Sequence, residues 1–170
     1  LLHEDGASRL DVHFPPMQHA AWPLLVELHW ALLPPPLGEA MPTKEMLARA
    51  VPVWLEGAAA RVLSRDDALL YNVLHSEARH HAALAQSAPL WQLYDSLRLC
   101  AGQGAADWTE CVRRAGPHAW YVRRHVALLR MLFGPEAVPA VVPGKLSWAA
   151  RFRLSHAVNQ SRLGRMDAAL

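Results

Sequence analysis

Glu27 and His29 interrupt an otherwise apolar run, LLVELHWALLPPP (24–36). A carboxylate two residues from an imidazole is a pairing that can hold a metal ion, move a proton or meet a phosphate. On an extended strand Leu25, Glu27 and His29 share one face, and Leu24, Val26, Leu28 and Trp30 the other. Two readings follow. In the plainer one, a half-buried strand turns its polar face to solvent. In the sharper one, Val26, Leu28 and Trp30 pack on helices and fix the backbone, so that Glu27 and His29 project rigidly as a site.

A second group lies in LHSEARHHAAL, where His75 and Arg79 are one helical turn apart and point the same way. An imidazole beside a guanidinium suits an anionic group such as a phosphate, with a structural histidine as the ordinary alternative. Their phase predicts that His75 and Arg79 face the strands or a cleft with them, while His81 is inward or at the boundary. The spacing from His75 to His80 does not suit zinc on one helix face. The seven tryptophans are scattered rather than striped and read as core anchors. Arg113-Arg114 and Arg123-Arg124 read as a solvated basic face, with phosphate contact the lesser alternative. There is no Gly-rich phosphate loop, Cys-x-x-Cys, nucleophile elbow or His-Glu-x-x-His.

The elements that must position these residues change period along the chain. SRLDVHF (8–14) alternates as a strand, and Pro15-Pro16 is expected to end it. Leu24 to Leu32 is a second strand stopped by Pro34-Pro35-Pro36, and the two can pair antiparallel. Thr43 is placed to cap a short helix through Ala50, and two extended pieces around Gly57 are expected to complete a small sheet. From Ser64 the period is helical. Ser64 to Asp67 has capping-box spacing ahead of a helix reaching Ala85, and a further helix starts after Pro89 and stops at Gly102 and Gly104. Asp107 to Glu110 opens another, His118 to Phe133 forms a fourth ended by Gly134-Pro135, and Ser147 to about Arg162 a last one. The fold class is therefore α+β: a small mixed or antiparallel sheet within residues 1–63, followed by a helical bundle over 64–170.

With 170 residues, 52% of them hydrophobic, the chain can bury a core. A net charge of +2 argues against a general nucleic-acid partner. Cys100 and Cys111 lack the spacing of a disulfide framework or zinc site, which points to a reducing compartment, the cytoplasm. No apolar run has the length of a membrane span and no signal peptide is visible. The chain opens Leu-Leu-His-Glu-Asp without an initiator methionine, as expected of a fragment or of a chain lacking residues at its front.

Three stretches in order, LLVELHWALL, ARVLSRDDALLYNVLHSEARH and LWQLYDSLRLCAGQGAADWTECVRRAG with ALLRMLFG after it, resemble an uncharacterised bacterial branch of the nucleotidyltransferase superfamily. The resemblance runs over residues 24–134. It implies a core in which two or three carboxylates on adjacent strands hold Mg2+, which bridges a nucleoside triphosphate while an acceptor attacks the α-phosphorus. Glu27 would be one such carboxylate, catalytic and metal-binding, with His29 orienting the attacking group or touching phosphate. His75 and Arg79 would bind the nucleotide. The acceptor, whether small molecule, peptide or protein, is not specified. The chain departs from the superfamily in having no Gly-Ser turn followed by Asp-x-Asp; Asp11-Val12-His13 is the nearest analogue. The expectation is thus an enzyme of which this chain carries only part of the active site, or else a non-catalytic binding protein that keeps the fold.

Overall fold

The computed structural model describes residues 12–80, 90–102 and 104–139, and the side chains of 77–80 and 90 fall outside that set. Two antiparallel hairpins alternate with helical segments, which bears out the α+β class. Strand β1 (Met17–Gln18) pairs with β2 (Leu25–Val26), and β3 (Val51–Leu55) pairs with β4 (Ala58–Val62). The hairpins form separate two-stranded sheets, so the second one does not complete the first as its sequence suggested.

The first hairpin is longer than its strands. Pairing resumes at His13 opposite His29, with main-chain bonds from Phe14 N to Leu28 O (2.9 Å) and from Trp30 N to Val12 O (3.1 Å). Between this bridge and the Met17–Val26 pair, residues 14–16 oppose residues 27–28, so one strand carries an extra residue. Pro15 and Pro16 lie in that offset. Lacking N–H donors they cannot sit in a regular ladder, and the ribbon absorbs them as a bulge-like step instead of ending there. The second hairpin turns through Glu56 (φ 46°) and Gly57 (φ 84°), the paired positive-φ conformation that matches strand twist.

Helix α1 (Thr43–Arg49) begins one residue earlier than expected: Pro42 occupies the cap position and Thr43 is the first helical residue. Its C-terminus is held by Arg61 of β4, whose Nε and Nη2 donate to Ala50 O at 3.2 and 2.6 Å. Helix α2 spans Arg65–His80, α3 Leu90–Leu99, α4 Trp108–Ala115 and α5 Ala119–Phe133. Ser64 accepts from Asp67 N as a capping box requires. Asp107 caps α4 by accepting from Thr109 N at 2.8 Å. Gly134, at φ 99°, stops α5. The stretch to Ala85, His81 and the helix expected at 147–162 lie outside the described residues.

The core is helical. Leu69, Leu70, Val73 and Leu74 of α2 meet Leu93 of α3, Trp108 and Cys111 of α4, and Val122, Val126 and Leu129 of α5. Leu33, Leu37, Met41 and Met46 join them from the segment between the hairpins. No residue of β1 to β4 belongs to this cluster. Trp108 is a core anchor at 2% exposure, but Trp22, Trp30, Trp54, Trp91 and Trp120 are exposed, contrary to their expected role. The residues that reach the helices from the front third are Leu33, just ahead of the prolines, and Leu37, Met41 and Met46 after them, while the apolar side chains from Leu24 to Trp30 stay exposed.

Candidate functional site

The Glu27–His29 pair lies on the returning strand of the first hairpin. Alternation puts both side chains on one face, and His29 Nε2 is 3.5 Å from Glu27 Oε2. The side chains are 46% and 25% exposed for Glu27 and His29, so the pair is open to solvent. The apolar face behind it does not pack on the helices as expected: Leu24, Val26, Leu28 and Trp30 are exposed. What stiffens the ribbon is local. Phe14 meets Trp30 edge to face across the strands, ring centres 5.0 Å apart, and main-chain bonds flank both residues.

In the sequence His13 is a strand residue and stands at the second acidic position of Asp11-Val12-His13, the nearest analogue of the superfamily's acidic pair. In the fold it faces His29 directly, with ring centres 5.1 Å apart, and its Nδ1 lies 2.9 Å from Phe14 O. Glu27, His29 and His13 therefore share one patch. His75 is half-buried on α2, its ring 5.2 Å from that of Tyr71 one turn earlier. Arg79 is in the last turn of α2, with its side chain outside the described set. The structure thus brings Glu27 and His29 together and leaves His75 and Arg79 on a different element.

A second constellation was not foreseen. The buried Asp67 carboxylate receives Arg49 through Nε at 3.2 Å and Nη2 at 3.1 Å, Ser64 Oγ at 2.7 Å, and Arg114 Nη2. Arg49 also meets Glu45 at 3.5 Å. Two guanidiniums against two carboxylates leave no net charge for an anionic ligand, so this cluster joins α1, α2 and α4 rather than forming a phosphate site. It also corrects the reading of Arg113-Arg114 as one solvated face: Arg113 is exposed and pairs with Glu110, whereas the Arg114 side chain is only 13% exposed. Burial, then the neighbouring Arg49 charge, lowers the Arg114 pKa. Deeper still, Asn72 Nδ2 donates to Gln92 O (2.7 Å) and Ser96 Oγ (2.8 Å), and Ser96 Oγ lies 2.9 Å from His125 Nε2. Ser96 and His125 are fully buried, so this pair serves packing of α2, α3 and α5.

Cys100 and Cys111 are free thiols. Burial, then Asp66 and Asp107, pushes Cys100 up to about 12, and burial drives Cys111 up as well. Neither is set up as a nucleophile.

A family model described as an uncharacterised nucleotidyltransferase matches residues 3–133. The chain belongs to this family. The match takes in both hairpins and every helix from α1 to α5. No curated protein and no solved structure matches the chain significantly. The family implies a nucleotide substrate and a divalent metal. Tested against the residues present, Glu27 offers a single exposed carboxylate, and among the described residues no group of three or more His, Cys, Asp or Glu side chains is arranged to hold a metal ion. Mg2+ is commonly held by one or two carboxylates together with substrate phosphates, so Glu27 fits one arm of such a site and not a complete cage. Among the described residues no helix is long and apolar enough to cross a membrane.

Proposed function

We propose that this nucleotidyltransferase-family chain contributes the Glu27–His29 face to metal-dependent transfer of a nucleoside monophosphate from a nucleoside triphosphate to an acceptor. The observation that carries the reading is the 3.5 Å Glu27–His29 pair on a stiffened, solvent-open ribbon in a chain of this family. Bound Mg2+ would neutralise charge on the triphosphate. Glu27 would hold that ion or take the proton of the attacking hydroxyl, and His29 would orient the attacking group or donate to a phosphate oxygen. His75, with Arg79 one turn on, is proposed to cover the nucleotide. The two free thiols suit a reducing, cytoplasmic setting.

A second reading is a binding protein that keeps the fold without chemistry, and the single carboxylate of the described patch favours it. Nucleotide binding measured by calorimetry with and without Mg2+, for the wild-type chain and Glu27→Gln, tests the first reading. Magnesium-dependent binding that the substitution weakens is the expected result. Binding that ignores both magnesium and Glu27 overturns it in favour of the second.

A further inference from the structure

The patch holds two imidazoles, His13 and His29, a ligand type that suits a different class of ion from Mg2+. Two imidazoles bound to one tetrahedral ion at about 2.1 Å have ring centres roughly 5 Å apart. The His13 and His29 rings are separated by 5.1 Å across the ribbon. Each ring also has one nitrogen beside a group that can only accept. His13 Nδ1 lies 2.9 Å from Phe14 O, so it carries the proton and leaves the lone pair on Nε2. His29 Nε2 faces the Glu27 carboxylate at 3.5 Å, which favours the proton there and the lone pair on Nδ1. A carbonyl or carboxylate behind an imidazole is the outer support that metal-ligating histidines commonly have.

We propose that His13 and His29 form a two-histidine site for a borderline first-row transition ion such as Zn2+, with Glu27 supporting His29 from behind. Imidazole nitrogen suits such ions, whereas Mg2+ prefers oxygen. Two protein ligands leave positions on a tetrahedral ion for water or a phosphate oxygen. The site lies on the same face as the proposed nucleotide chemistry but does not depend on it.

The test is zinc chloride titrated into the full chain without nucleotide, followed by calorimetry and by the imidazole proton resonances. One ion per chain is expected, shifting the His13 and His29 rings, with no heat from magnesium chloride. His13→Ala and His29→Ala should each lose the binding. His19→Ala, on the same hairpin but with Nδ1 accepting from Ala21 N, should retain it. Glu27→Ala should weaken it about tenfold. The ring shifts are read on the wild-type chain, so they decide the matter even if a variant folds poorly. Zinc binding that survives either His13→Ala or His29→Ala, resonances of other histidines shifting instead, or no zinc binding at all would overturn the proposal. Nucleotide binding in magnesium is a separate measurement, so failure here leaves the transfer reading standing.

Discussion

Between Ser64 and Val138 the described helices bury Leu69, Leu70, Val73, Leu74 and Leu129 almost completely, while Trp22, Leu25, Trp54 and Leu55 of the two hairpins stand in solvent. Both regions are rich in apolar residues, so hydrophobic content alone does not decide what is buried. A helix with apolar residues at three- and four-residue spacing can close a core against its neighbours. A two-stranded ribbon has two open faces and needs another layer to cover either one. Stability therefore resides in the helices, and the first hairpin is left free to present polar side chains.

The comparison is tested most strongly at Asp67. Asp67→Ala strands two arginines, one of them largely buried, and should cost about 3–5 kcal/mol in chemical unfolding. Next, Leu70→Ala or Leu129→Ala should each cost about 2–5 kcal/mol by the same measurement. In the second hairpin, Gly57→Ala forces a side chain into the left-handed region at φ 84° and should cost about 1 kcal/mol. The smallest effect belongs to the exposed apolar surface: Trp54→Ser, at 72% exposure, should change stability by less than about 0.5 kcal/mol. A hairpin substitution that unfolds the helices as Asp67→Ala does would erase the distinction.

The thiols add a pH signature to the helical side. Cys100 has a folded pKa of about 12 against an ordinary value of 9.0, so its protonated form is favoured by folding. That contribution is fully present below pH 9 and is lost as pH rises from there towards about 12. Unfolding midpoints followed upward through this window should fall, and Cys100→Ala should lessen the fall.

Much of this division was legible in the sequence. The change of period at Ser64, the Asp107 cap, the Gly134 stop and the turn at Gly57 are local signals, and each is present in the fold. Glu27 and His29 were found by alternation, which fixes that two residues share a face. Alternation does not say what covers the other face, and that is why the expected packing of Val26, Leu28 and Trp30 failed. His13 was missed as a site residue because its pairing with His29 depends on the one-residue offset at Pro15-Pro16. Asp67 meets Arg49 and Arg114 across 18 and 47 residues of sequence, so only the tertiary fold could turn a cap residue into the centre of a clasp.

The central claim is that Glu27 serves chemistry and not stability. Its direct test is transfer of label from nucleoside triphosphates by the full-length protein and its Glu27→Gln variant, with a cell extract supplying acceptors, across a magnesium titration and beside an unfolding curve for each protein. The account predicts a rate loss on the order of a hundredfold, about 3 kcal/mol of transition-state stabilisation, with the unfolding curves superimposed. Equal rates at every magnesium concentration would contradict it and make Glu27 a solvated residue at the edge of a hairpin.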